Sequence, residues 1–235
     1  MVIAEQATSR IPDRARAGPA GETAPARVAV LSTWHPEPVD NGRKQRTRQM
    51  IAALAGEYEV ALTPVPGVWR QWALPLPTFA PRSRAALLAG LHPLPRSAVM
   101  TWRAATAAAI ARIARQAGIA LAIGTDLRTT RYLLALDPRI GTILDEPDVS
   151  PFTIEAQGEA RGLARLRAIG QRGKLRRFLH RAARRLDAAI VASPEEARAY
   201  RQLAGPARVE VIENGVAALP DPPWSPPDAA QLLYT

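Results

Sequence analysis

The chain of 235 residues is expected to fold as an α/β protein: a doubly wound, Rossmann-like parallel sheet of about six strands with helices on both faces. Three observations predict it. Short apolar runs rich in β-branched residues recur along the sequence, as buried parallel strands require. Segments with apolar residues at three- and four-residue steps lie between them. The two kinds of segment alternate from about residue 27 to 216, which is the pattern of linked βαβ units.

Each element has its own justification. Residues 1–26 are rich in Ala, Pro, Gly and charge without apolar period, and read as a disordered tail. Arg27–Thr33 is the first strand. After a Pro-containing loop (Trp34 to Gly42), a helix from about Arg43 to Ala55 turns Met50, Ile51 and Leu54 inward. Glu57–Val65 is the second strand. Residues 66–82 are Pro-rich and carry Trp69 and Trp72, an irregular excursion of the kind that forms binding loops. A short helix near 83–91 and a second Pro stretch (His92 to Pro95) lead to an Ala-rich helix, Met100–Ala117, stopped by Gly118. Ile119–Ile123 is a strand, Arg128–Leu136 a helix, and Gly141–Leu144 a strand ending in Asp145-Glu146. Ala188–Ala192 follows a basic helical stretch. Ser193-Pro194-Glu195-Glu196 then opens a helix with an N-cap Ser, Pro in the first turn and favourably placed acids. Val209–Ile212 is the last strand. Residues 217–230 are dominated by Pro and read as a linker, and 231–235 resemble the opening of a further domain whose remainder is absent.

Composition narrows the chemistry. Hydrophobic residues make up 47% and charged residues 22%, ordinary for a chain with a real core. There is no Cys, so disulfides, thiolate metal sites and a Cys nucleophile are excluded. The three His (35, 92, 180) are too scattered to suggest a His-rich metal site. No window is apolar enough to cross a membrane. Glu5, Arg10, Asp13 and Arg14 occupy the place where an export signal needs an apolar stretch, so the expected location is cytoplasmic.

The net charge of +10 is concentrated. Between Ala160 and Leu186 stand nine Arg and one Lys without a single acid, equal to the whole excess. Leu163, Leu166 and Ile169, then Leu175, Phe178 and Leu179, then Leu186, recur at helical steps. One amphipathic helix or two are expected, with Gly170 and Gly173 as the place for an interruption. The Arg161–Arg185 face suits an anionic partner or the inner face of a membrane, or it is simply a solvated helix. Nucleic acid is disfavoured, because aromatic residues are 5% of the chain and none is interleaved with the arginines.

Ligands of open parallel sheets sit beyond the carboxyl ends of the strands. The first such loop lacks both G-x-G-x-x-G and G-x-x-x-x-G-K-[ST], against a dinucleotide-dependent dehydrogenase and a P-loop NTPase. Its Asn41-Gly42-Arg43 opens a helix. With Arg43 and Arg46 it forms a candidate acceptor- or phosphate-binding site, although a plain helix-starting turn reads the same way. Asp145 and Glu146, with Asp148, cluster after a strand, where a carboxylate can take a proton from an acceptor hydroxyl. Asp126 is a further catalytic candidate and Arg128 a further ligand contact, and both also suit local capping. His35 and His180 read as surface residues, and Trp69 and Trp72 as a platform or as pins for their loop.

Two runs carry a resemblance. RVAVLSTWHPEPVDNGRKQRTRQMIAALAGEYEVAL (27–62) resembles the opening of family-four-like glycosyltransferases of the GT-B fold. RRLDAAIVASPEEARAYRQLAGPARVEVIENGV (184–216) resembles their later segment ending in a V-x-V-I-P-N-G-V-D pattern. Asn41 stands where many members have Gly, Glu213 where they have Pro, and Ala217 where they have Asp. Gly124-Thr125-Asp126 follows a strand where many carry a His. The resemblance implies the N-terminal, acceptor-side domain of a retaining enzyme that moves a sugar from a nucleotide-sugar to a saccharide or lipid-linked acceptor in envelope or exopolysaccharide synthesis. It implies no metal and no cofactor beyond the nucleotide-sugar co-substrate. It also places Asn41-Gly42 near the donor diphosphate and Asn214-Gly215 at a hinge beside the cleft. The donor domain is missing from the sequence on this reading, so the chain alone is expected to be inactive. The alternative is a non-catalytic binding module using the 161–185 face.

Overall fold

The six apolar runs pair side by side because each is a strand with both faces to bury. In the computed structural model, which describes residues 26–34, 36–62, 92–149 and 162–215, they are β1 (Arg27–Leu31), β2 (Glu59–Leu62), β3 (Ile119–Gly124), β4 (Gly141–Asp145), β5 (Ala188–Val191) and β6 (Val209–Val211). All are parallel, in the order β2-β1-β3-β4-β5-β6. The order reverses between β1 and β3, which is where such sheets open a crevice for ligands. The helices are α1 (Gly42–Ala55), α2 (Arg96–Met100), α3 (Ala104–Gln116), α4 (Thr130–Leu134), α5 (Gly162–Ala182) and α6 (Pro194–Ala204). Except for Ala26, the expected tail lies outside the described residues. So do His35, Trp69, Trp72, the helix near 83–91 and the segments 217–230 and 231–235.

Alternation along the strands divides the core in two. Val28 and Val30 of β1 and Leu121 and Ile123 of β3 pack with Leu54, Met50 and Ile51 of α1 on one face. Ala29, Leu31 and Ala122 point the other way and meet Ile110 and Ala114 of α3, Leu175 and Leu179 of α5, and Tyr200 and Leu203 of α6. The sheet is therefore covered on both sides, as the alternating pattern predicts. Local start and stop devices also hold. Gly118 adopts φ +64 after α3, and Ser193 Oγ accepts the Glu196 N–H at 3.1 Å while Glu196 Oε2 accepts the Ala192 N–H at 2.9 Å.

Two helices differ from expectation. The helix expected over Met100–Ala117 begins only at Ala104, as α3, with Met100 ending the separate short helix α2, and α4 is shorter than Arg128–Leu136. The division has a tertiary cause. The Tyr132 hydroxyl donates to the Thr101 carbonyl at 2.5 Å and accepts the Arg103 N–H at 3.0 Å, taking both groups away from a helical ladder. Trp102 packs at a tilt against the same Tyr132 ring with centroids 5.1 Å apart, beneath the Arg131 guanidinium.

The basic stretch is one uninterrupted helix, α5, with Gly170 and Gly173 inside it, each costing about 1 kcal/mol of helix propensity relative to Ala. Its apolar residues do not form one stripe. Leu175, Phe178, Leu179 and Ala182 are buried, but Leu166 is 65% and Ile169 50% exposed. Leu166 and Leu175 are about two and a half turns apart at 3.6 residues per turn, so they face opposite sides. Among the described residues no helix is long and apolar enough to cross a membrane.

Candidate functional site

The carboxyl ends of β1, β4 and β6 converge on the amino end of α1. Asn41 is the N-cap of α1, its side chain accepting the Lys44 N–H at 3.0 Å. That cap fixes the first turn and sends Arg43 and Arg46 toward the sheet. The Arg46 guanidinium grips Asp145 with Nη2 at 2.8 Å and Nε at 3.2 Å from Oδ1. Its Nη1 reaches the Ile212 carbonyl at 3.0 Å and Asn214 Oδ1 at 2.7 Å. Glu146 Oε1 lies 3.9 Å from Arg46 Nε and 3.5 Å from Asn214 Nδ2. One partly buried cation thus ties together residues from α1, β4 and the end of β6. Beside it, Arg43 pairs with Asp148.

Above this network lies an open cleft of about 560 Å³, lined by Trp34, Asn41, Gly42, Arg43, Lys44, Glu146, Asp148, Glu196 and Asn214. A Cβ built on Gly42 would meet nothing within 4 Å, so a ligand can come close to the α1 backbone there. The Trp34 Nε1–H is buried and has no partner among the described residues. The guanidinium carbons of Arg43 and Arg128 each lie 5.6 Å from the Trp34 ring centroid.

Of the residues predicted from sequence, Asn41, Gly42, Arg43, Glu146 and Asn214 line the cleft. Asp145 and Arg46 form its floor and are committed to each other. Asp126 does not line it. Its side chain accepts the Thr33 hydroxyl at 2.5 Å and the backbone N–H groups of Arg128 and Thr129 at 2.7 and 3.1 Å, which closes the turn before α4. Arg128 leans over Trp34, and Gly215 is exposed beyond Asn214 without lining the cleft. Sequence reasoning passed over Trp34, Lys44 and Glu196. Trp34 and Glu196 each follow a strand's carboxyl end closely, the one cue that could have found them. Among the described residues no group of His, Asp and Glu could hold a metal ion.

Electrostatics distinguish the carboxylates. Asp145 is 2% exposed; burial pushes its carboxyl above the usual value, and Arg46 offsets only part of that. Burial opposes the charge on Arg46, but Asp145, Glu146 and Glu196 outweigh it and hold the guanidinium firmly charged. Glu146 is raised by burial first and by its acidic neighbours second, against the pull of Arg46 and Asn214. Asp126 is raised by burial, against its hydrogen bonds and Arg128. Glu146 and Asp148 also hold left-handed backbone, φ 43 and 39. That conformation is uncommon without glycine and accumulates at functional turns.

The Glu146 shift predicts a pH dependence. The folded chain binds this proton more tightly than the unfolded chain does. That contribution is complete below the unfolded value of about 4.3 and is lost as pH rises through the higher folded value. Glu146→Gln cannot ionise, so its stability relative to the native chain is expected to improve from about pH 4 to about pH 7. Thermal unfolding of both chains at the two pH values measures this, and a constant difference contradicts it.

No protein-family model matches the chain, and no curated protein matches it significantly.

Proposed function

We propose that this domain is the acceptor side of a glycosyltransferase, which moves a sugar from a nucleotide-sugar to a saccharide or lipid-linked acceptor. One observation carries the reading: among the described residues, the cleft beyond the strands' carboxyl ends offers hydroxyl-binding groups and no surplus of positive charge. Two cations, Arg43 and Lys44, face three carboxylates, Glu146, Asp148 and Glu196, with Asn41 and Asn214 between them. Carboxylates and amides bind sugar hydroxyls well, whereas a bare diphosphate would meet excess negative charge. The family resemblance supports the same reading, because its two runs, distant in sequence, meet at the 2.7 Å contact between Arg46 and Asn214.

In this mechanism Glu146 accepts the proton of the attacking hydroxyl. Asp148 and Glu196 also line the cleft, but Asp148 is paired with Arg43 and Glu196 accepts the Ala192 N–H; the raised pKa of Glu146 suits a general base. Asp145 and Arg46 are positioning residues that hold the turn carrying Glu146. The donor's leaving diphosphate carries the charge that develops in the transition state, and an opposing donor-binding domain supplies its cations.

The test follows the Trp34 indole N–H resonance, assigned with Trp34→Phe. Oligosaccharides are expected to shift it, and uridine diphosphate alone is not. Fusion to the donor domain of a family-four-like glycosyltransferase is expected to give nucleotide-sugar turnover that Glu146→Gln lowers by roughly 10²–10⁴. Turnover at ordinary enzymatic speed by the 235-residue chain alone, or a fusion indifferent to Glu146→Gln, would overturn the proposal.

A further inference from the structure

The half-turn between the two apolar sets of α5 leaves a second surface, built from residues other than those lining the cleft. Leu175, Phe178, Leu179 and Ala182 anchor the C-terminal half to the core, while Leu166 and Ile169 stand on the opposite side at 65% and 50% exposure. Gly170 and Gly173 lie on that outer side, and a Cβ at either would meet nothing within 4 Å. Arg165, Arg167, Arg176, Arg177 and Arg181 are exposed around and beyond this pair. Among the described residues no carboxylate pairs with any of them. Among the described residues, two exposed aliphatic side chains are thus ringed by guanidinium groups that no carboxylate pairs, all on one helix.

We propose that this outer face of α5 docks on an anionic lipid bilayer, with Leu166 and Ile169 entering the headgroup boundary and the arginines contacting lipid phosphates. Charge complementarity selects this occupant. The segment from 160 to 186 holds ten positive charges and no acid. A second copy docking through the same face would bring two such acid-free segments together, which is strongly unfavourable. Nucleic acid would satisfy the arginines but gains nothing from exposed Leu and Ile, and the helix carries no aromatic on its outer side for bases to stack on. A bilayer uses both: aliphatic groups enter the acyl boundary, and arginine stems lie along it while their heads stay with the phosphates. The attraction acts within about 8 Å at physiological ionic strength, so the face must lie flat on the surface.

The experiment is flotation of the 235-residue chain with vesicles of phosphatidylcholine alone, or of phosphatidylcholine and phosphatidylglycerol in equal parts. Binding is expected only to the anionic vesicles, weakening as salt is raised. The variant Leu166→Asp/Ile169→Asp is expected to lose binding by about tenfold or more. Arg165→Ala/Arg167→Ala/Arg176→Ala/Arg177→Ala is expected to lose both binding and salt dependence. Both variants change solvent-facing side chains and are expected to melt with the native chain. Three results would overturn the proposal. One is no binding to anionic vesicles at low salt. Another is a double aspartate variant that binds as well as the native chain or that instead abolishes self-association. The third is duplex DNA bound more tightly than vesicles and unaffected by the double aspartate variant. None of these outcomes depends on sugar transfer, so this inference and the glycosyltransferase reading stand or fall separately.

Discussion

Replacing Arg46 by Ala is expected to cost about 3–5 kcal/mol of folding stability, because it leaves the Asp145 carboxylate buried and unpaired. For a protein of this size that corresponds to a fall in unfolding midpoint of roughly 10 °C. Asp145 is 2% exposed, so water cannot take over from the guanidinium. Removing Arg46 also takes away its bonds to the part-buried Ile212 carbonyl and to Asn214 Oδ1, at 3.0 and 2.7 Å. The mechanism is specific enough to be separated from simple loss of packing. Arg46→Met/Asp145→Leu removes both charges and keeps the volume filled, and it is expected to recover most of the loss. Urea unfolding of the native chain and both variants decides it. A single variant close to native stability, or a double variant as weak as the single, would show that the pair does not hold the turn after β4 against α1.

Gly124→Ala is expected to be the second most damaging change, at about 2–3 kcal/mol. Gly124 ends β3, and a Cβ there would stand 2.3 Å from Thr129 Oγ1 and 2.9 Å from Leu133 Cδ1. Neither neighbour yields easily. The Thr129 hydroxyl is bonded to the Asp126 carbonyl at 2.6 Å, and Leu133 is 1% exposed. Thr129→Gly in the Gly124→Ala background removes the worst contact and is expected to return part of the stability, a non-additive pair in a double-mutant cycle. Purely additive losses would mean that the strand end moves rather than clashes.

What could be read without the structure was whatever local chemistry decides. β1 and β3 are apolar runs with nowhere to go but a covered sheet, and Ser193-Pro194-Glu195-Glu196 contains its own cap. Gly118 likewise ends α3 by its own backbone freedom. The break between α2 and α3 was not legible, because it depends on Tyr132, which lies in another helix and competes for the backbone of Thr101 and Arg103. The exposure of Leu166 and Ile169 was hidden in a different way. Each short step along α5 is helical, but the six-residue gap from Ile169 to Leu175 turns the stripe to the far side. At the site, strand-end position marked Asp145 and Glu146, and the family resemblance marked Asn214. Neither showed that Arg46 would be consumed by Asp145, a partner 99 residues away. Pairing across that distance is a property of the fold, and it moves the accessible carboxylate from Asp145 to Glu146.

The parallel sheet has a consequence for how this chain is made. β1 takes its place between β2, with Arg27 opposite Glu59, and β3, with Arg27 opposite Ile119. β3 leaves the ribosome long after β1, and at about 5–20 residues per second the wait lasts several seconds. Throughout that time one edge of a strand bound for the centre of the molecule has no mate. Newly made chains lying close together can pair through such an edge, so the yield of native protein is set in part by how crowded synthesis is and by whatever shields β1 until its neighbour arrives.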